Sequence, residues 1–264
     1  MSSSIRRVIV PCIYLSQISY IKALNLQRSL VQSKLDNTSS DFLLLLQHPP
    51  TYTTGRRDLN NNDNKEAERL KKLGAEYYKT LRGGQTTFHG PGQLVGYPIL
   101  NLRNFGLSVR NYVCAIERVI IKTCETFNIH AKTTEHTGVW VDNEKICAIG
   151  IHIQRFIASH GFALNCNNDL SWFDHIIPCG LEDKKHTSLT KEILKQSPEK
   201  YEKYGNSITI GEVIPILCKN FNNIFNCTLI PLEDLDDKNI EIRKLKEKIN
   251  ELLNNDNDHN NQIK

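Results

Sequence analysis

The sequence predicts a single α+β domain, and two observations carry that prediction. Strand-like segments at Gly138–Val141, Lys145–Gln154 and Ala158–Cys166 follow one another with only tight turns between them, Asp142-Asn143-Glu144 and the Arg155 region, as in an antiparallel meander. Long amphipathic helices, clearest over Ser108–Phe127, stand apart from these hairpins instead of alternating with single strands as in a doubly wound α/β chain.

The other elements follow in chain order. Val8–Leu15 is an apolar, strand-like stretch. Gln17–Ser33 has Ile18, Ile21, Leu24, Leu30 and Val31 at helical spacing, with Ser16 as N-cap. Asp41–Gln47 holds the run FLLLL and is stopped by His48-Pro49-Pro50, which makes it a buried strand. Lys65–Leu73 reads as a helix ending at Gly74. Glu76–Leu81 and Leu94–Leu102 read as strands on either side of a glycine-rich segment. In the Ser108–Phe127 helix, Val109, Tyr112, Val113, Ile116, Val119, Ile120 and Phe127 share one face and Ser108 caps it. Thr209–Phe225 is a further helix, tolerating Pro215 only in its first turn or at a kink. From Leu232 the chain is charged and then rich in asparagine, so the expected organisation is a folded domain over 1–231 and a tail over 232–264, a solvated helix followed by disorder.

Composition narrows the function classes. Hydrophobic residues at 39% and charged residues at 23% of 264 are those of an ordinary globular protein, slightly diluted by Asn60–Asn64 and Asn254–Asn261. A net charge of +4 is too weak for a nucleic-acid partner, which calls for a clustered basic stripe. The longest apolar run, Phe42–Leu46, is far short of the roughly 20 residues of a membrane span. Cysteines at 12, 114, 124, 147, 166, 179, 218 and 227 form no CxxC pair, which disfavours disulfides and a zinc site. The start, MSSSIRRVIV, has the composition of a mitochondrial presequence, but strand-like sequence begins almost at once; the expected compartment is mitochondrial, with the cytoplasm as alternative.

Four segments can carry chemistry. Arg82–Gln93, RGGQTTFHGPGQ, builds a loop whose backbone can approach a ligand, without the Gly-Lys-Ser/Thr of a phosphate loop or the GxGxxG of a dinucleotide site. Arg82 there could neutralise an anion and His89 could act as acid, base or orienting group; a tight turn with an incidental histidine explains the segment equally well. In Gly138–Gly150, Lys145 opens an otherwise apolar strand, a position where most lysines are simply solvated. In Ser159–Cys166, Gly161 and Ala163 leave space beside the backbone for a ligand chain or for packing, and His160 alone is more often structural. In Ile176–Leu181, Cys179 stands between Pro178 and Gly180, displayed on a turn as a nucleophile would be, although most reduced cysteines pack as small hydrophobes.

Taken together, Arg82-Gly83-Gly84, His89-Gly90-Pro91-Gly92-Gln93, Gly138-Val139-Trp140-Val141, Lys145-Ile146, Ile149-Gly150, His160-Gly161 and Pro178-Cys179-Gly180 have the order and spacing of one family. The chain resembles the lipoyl(octanoyl) transferases over roughly residues 8–230. His48-Pro49-Pro50-Thr51-Tyr52-Thr53-Thr54-Gly55 and Thr187-Ser188-Leu189 extend the likeness. Thr86-Thr87-Phe88 departs from the usual Val-Thr-Tyr, and Lys191–Asn206 looks like a polar insertion.

The resemblance implies the fold of the biotin and lipoate protein ligase catalytic domains, a mixed, largely antiparallel sheet packed against helices. It implies that Cys179 is the acyl-thioester nucleophile and Lys145 the lysine that lowers its pKa. Arg82, Gly83, Gly84, Gln85, Thr86, Thr87, Phe88 and His89, with Ala148, Ile149, Gly150, Gly161, Phe162 and Ala163, would line the acyl site, and His48 and His160 would support it. The implied donor is octanoyl-acyl carrier protein. The implied acceptors are lipoyl domains of 2-oxoacid dehydrogenase complexes and the glycine cleavage H protein, with no cofactor or metal. Two rivals remain: an ATP-dependent lipoate–protein ligase of the same fold, whose loop carries Gly-Gly-Gly and His-Asp where this chain has His89-Gly90, and a non-catalytic binding scaffold.

Overall fold

The computed structural model describes residues 7–36, 39–58, 64–176, 185–196 and 207–254. The run FLLLL becomes β2 (Phe42–Gln47), and its continuous hydrophobicity has a direct cause: both faces are covered. Leu43 and Leu45 pack with α3 (Val109–Thr126) and α5 (Ile210–Phe225), whereas Phe42, Leu44 and Leu46 pack with α1 (Tyr20–Leu35). β2 belongs to a seven-stranded sheet with β1 (Val8–Gln17), β6 (Gln93–Ile99), β7 (Val139–Val141), β8 (Glu144–Gln154), β9 (Ile157–Asn165) and β10 (Cys227–Pro231). The order is β10-β1-β2-β6-β9-β8-β7; β1 is parallel to both its neighbours and every other pairing is antiparallel. The mixed, largely antiparallel sheet expected from the sequence is therefore present.

A second sheet, β4-β3-β5, was not foreseen. Its strands are β3 (Thr51–Thr54), β4 (Glu76–Lys79) and β5 (Thr87–His89), with α2 (Asn64–Lys72) leading into β4. β4 lies within the strand read over Glu76–Leu81, whereas β3 is too short to show a period and β5 lies inside the glycine-rich segment read as loop. Tyr52, Leu70, Ala75, Phe88, Phe173 and Ile176 form a separate small core here.

Several boundaries move for local reasons. β1 runs to Gln17, which pairs with Gln47 past an irregularity where Ser16 has φ 53°. The first helix therefore starts at Tyr20 and is capped by Ser19, not Ser16. β6 stops at Ile99, because Asn101 caps a single 3-10 turn over Leu102–Phe105. Thr209 and Glu212 form a reciprocal capping box, so Pro215 falls in the second turn of α5 and not its first. Part of the supposed polar insertion is α4 (Leu189–Gln196), with Leu189 and Ile193 buried. The charged C-terminal stretch does form a helix, α6 (Ile240–Asn254), but one face is docked and not solvated. Ile242 and Ile249 join the core under α1, and Lys22 Nζ donates to the Leu253 carbonyl at 2.8 Å.

Candidate active site

β8 and β9 pair in register with Ala148 opposite Ala163 and Gly150 opposite Gly161. Directly paired residues share a face, so these four small residues form a trough with almost no side chains in it. Above it lies a cavity of about 550 Å³. The loop after β4 roofs the trough: Gly83 N donates to the Ile151 carbonyl at 2.9 Å. The approach is close enough to exclude any side chain at Gly150, where a Cβ would lie 2.9 Å from Gly83 O and 3.0 Å from Arg82 Cδ.

Arg82 holds the roof in shape. Its guanidinium donates to the Thr53 carbonyl at 2.6 Å, the Thr53 hydroxyl at 2.9 Å, and the Gly83 and Gln85 carbonyls, each at 2.9 Å. The fork thus points into protein oxygens and is only 7% exposed. Neutralising a bound anion, one of the roles read from the sequence, is not what this geometry serves.

His48, His89 and His160 are held neutral. His48 donates from Nδ1 to the Ile18 carbonyl, which can only accept, so Nε2 accepts from the Tyr97 hydroxyl, both at 2.9 Å. Burial takes its pKa down to about 4. Burial also pulls His89 well below the usual histidine value, with His48 and Arg82 adding to the effect, and takes His160 to about 3. His160 lies in β9 with φ 56°, an uncommon conformation for a non-glycine residue.

On the far wall, Lys145 is 9% exposed, with its Nζ 4.8 Å from the centre of the Trp140 ring. Backbone hydrogen bonds join it to the chain just past 184: Lys145 N donates to Lys185 O at 2.9 Å and Thr187 N to Lys145 O at 3.0 Å. Between these contacts sits His186, stacked on Phe173 at 3.7 Å and held to a pKa of about 3 by burial and the neighbouring Lys145 charge. Cys179 lies outside the described residues; Ile176 before it and His186 after it both line the cavity.

Of the residues singled out from the sequence, Arg82 to Thr87, His89, Lys145, Ala148 to Gly150 and His160 to Ala163 border the cavity. Phe88 does not. In β5 successive side chains alternate, so Thr87 and His89 face the cavity while Phe88 turns into the small core and stacks on Trp172 at 5.2 Å. His48 sits behind the lining, against Tyr97. Sequence reading missed Tyr20, Arg57, Tyr97 and His186, all on the cavity wall. Tyr20 and Tyr97 look like ordinary core residues of a helix and a strand; His186 had a signal, its place one residue before the recognised Thr187-Ser188-Leu189. Among the described residues no three His, Cys, Asp or Glu side chains group to hold a metal, and no helix is long and apolar enough to cross a membrane.

Comparison with known proteins gives this arrangement its context. Residues 19–222 match the lipoyl protein ligase A/B catalytic domain. The chain is 49% identical over 228 residues to a mitochondrial octanoyl-acyl-carrier-protein:protein N-octanoyltransferase of Danio rerio, covering 86% of this chain and 96% of the relative. It is 42% identical over 229 residues to an octanoyltransferase of Koribacter versatilis, covering 84% and 87%. Among solved structures, lipoate-protein ligase A bound with ATP superposes with a TM-score of 0.58 at 12% identity, over 92% of this chain and 95% of that one. A bipartite lipoate protein ligase from Thermoplasma acidophilum does so with a TM-score of 0.57 at 14% identity, over 92% of each chain. Those two likenesses establish the ligase fold, and the sequence relatives establish the branch. The chain is an acyltransferase of the lipoyl(octanoyl) transferase group within the lipoyl protein ligase A/B catalytic-domain family.

Proposed function

We propose that this octanoyltransferase takes its acyl group from the thioester of an acyl carrier protein. It passes the group through a thioester on Cys179 to the ε-amine of a lysine in a lipoyl domain. The observation that carries this reading is Lys145: a buried ammonium on the cavity wall, fixed through its backbone to residues 185–187. Cys179 follows Ile176, at the cavity edge, by three residue steps, a reach of about 11 Å at most. Named relatives in zebrafish and in Arabidopsis thaliana are mitochondrial, which supports that compartment here. The acceptors proposed are the lipoyl domains of 2-oxoacid dehydrogenase complexes and the glycine cleavage H protein.

The chemistry balances without ATP. The thiolate is the nucleophile, and a free thiol with pKa of about 8.5 supplies only a few per cent of it at neutral pH. An ammonium close by favours the charged form. Thiolate attack on the carrier thioester forms one C–S bond and breaks another, releasing the carrier thiolate. The acceptor amine then forms the C–N bond, Cys179 leaves as thiolate, and the amine proton goes to a neighbouring base. His48 and His89 are unsuited to that task, because the free nitrogen of each accepts from a hydroxyl. The base in this reading is Lys145, once it has given up its own proton to the departing carrier thiolate. The trough at Ala148, Gly150, Gly161 and Ala163 takes the acyl tail, each buried methylene contributing about 0.8 kcal/mol.

Mixing the protein with octanoyl-carrier protein and no nucleotide should give an octanoyl adduct by intact mass, located on Cys179 and absent from Cys179→Ser. An adduct appearing only with ATP and free octanoate would favour a ligase. Full transfer by folded Cys179→Ser would remove the covalent intermediate. Lys145→Met should slow Cys179 alkylation near neutral pH; overlapping alkylation profiles for the variant and the wild type would strip Lys145 of its electrostatic role.

A further inference from the structure

We propose that Asn165, the last residue of β9, is a positioning residue for acyl transfer: it closes a one-directional hydrogen-bond chain that clamps residues 186–187 beside Lys145. The proposal rests on the acyl-transfer reading above. Asn165 is 2% exposed, and its Nδ2 donates to the Thr187 carbonyl at 2.9 Å. A carbonyl can only accept, so the amide has one orientation and its Oδ1 is left facing Gln93. Gln93, 1% exposed, donates from Nε2 to that Oδ1 at 2.9 Å and to the Phe88 carbonyl at 3.2 Å. A second backbone carbonyl thus fixes the second amide independently.

The rest of the chain is then determined. Gln93 Oε1 must accept, so His89 carries its proton on Nδ1 and donates across 3.0 Å. His89 Nε2 is therefore a lone pair, which accepts from the Thr53 hydroxyl at 3.2 Å. That hydroxyl oxygen in turn accepts from Arg82. Every link from the guanidinium to Thr187 runs in one sense, with no donor facing a donor. At the far end the Thr187 amide holds Lys145 O. The cavity roof at Arg82 and the Lys145 wall are thereby registered to each other through Thr53, Gln93 and Asn165, which do not border the cavity, and through His89, which does. Reaction geometry is sensitive at this scale: displacement by about 1 Å can slow turnover roughly 100-fold.

The test uses the whole protein with ¹⁵N-labelled histidine. Wild type should show His89 as the neutral Nδ1–H tautomer; an Nε2–H tautomer or an imidazolium at neutral pH would overturn the chain. Asn165→Asp still accepts from Gln93 but sets an oxygen against the Thr187 carbonyl, so it breaks the chain downstream of His89. Expected is a fall in kcat of roughly 10- to 100-fold, with KM for the octanoyl donor changed less than about threefold and the His89 signal retained. Wild-type kcat in Asn165→Asp, or a loss confined to KM, would overturn the positioning role. Loss of the His89 signal together with activity would mean a merely structural one and overturn it too. A wild-type protein that forms no acyl adduct would sink the proposed reaction instead, and the tautomer measurement would still decide the chain.

Discussion

Where the loop after β4 faces the cavity, Arg82, Thr53, His89 and Gln93 meet one another in a saturated web of hydrogen bonds. Where β8 and β9 face it, at Ala148, Gly150, Gly161 and Ala163, there is hardly a side chain. The first wall is specified by what is present and the second by what is missing. They should therefore fail differently: the polar wall through stranded buried donors and acceptors, the apolar wall through filled space.

The largest effect should come from Arg82→Ala. It strands the Thr53, Gly83 and Gln85 carbonyls and the Thr53 hydroxyl. Unfolding free energy measured in urea should fall by on the order of 3–5 kcal/mol. A loss below about 1 kcal/mol would mean that the loop is held mainly by packing, and the contrast between the walls would dissolve.

Acid should expose the same wall more gradually. His48 behind it, together with His160 in β9 and His186 beside Lys145, have folded-state pKa values lowered to about 4, 3 and 3, from 6.5. In that interval the unfolded chain binds more protons than the folded one, so stability is intact above pH 6.5 and is lost as pH falls towards the folded values. The slope should approach about 1.4 kcal/mol per pH unit for each histidine. Urea midpoints at pH 7.5 and 5 would read it, and a flat profile would mean that the histidines are open to water.

The smallest effect on stability should accompany a clear effect on substrate. Ala148→Leu projects into the trough, so KM for an octanoyl donor should rise about tenfold, or roughly 1.4 kcal/mol, while a butanoyl donor is little affected. Tm should stay within about 3 °C. Equal loss for both donors would place the acyl chain elsewhere in the cavity.

The two walls also differed in how legible they were. The small residues of β8 and β9 could be read because hairpin register follows from two adjoining strand patterns and their turns, and Gly150 and Gly161 are visible as letters. The long α3 and its Ser108 cap were equally plain. The roof was not. RGGQTTFHGPGQ announced a special loop, but nothing local said that Arg82 would turn inward to the Thr53 carbonyl of β3, a strand of four residues that sequence reading left unassigned. Phe88 was placed in the site because it lies among site residues; the two-residue period of a strand too short to recognise sent it to the small core. His186 and Tyr97 depend on long-range pairing, Lys145 with His186 and β2 with β6, which no single stretch encodes. Their discovery required the fold.

One packing detail bears on how such a chain can change over time. Gly96 pairs directly with Phe162, and a Cβ added at Gly96 would sit 2.1 Å from the end of that ring, which is itself 2% exposed. An aromatic ring laid across a cross-strand glycine fills the place of the missing side chain, and it ties the two positions together. Neither is free to vary alone. A larger residue at 96 is admissible only after 162 has become smaller, and shrinking 162 first opens a hole in the core that the new residue must then fill. The mutational route between two workable states therefore passes through an intermediate weaker than either end, and its direction is fixed: ring first, glycine second.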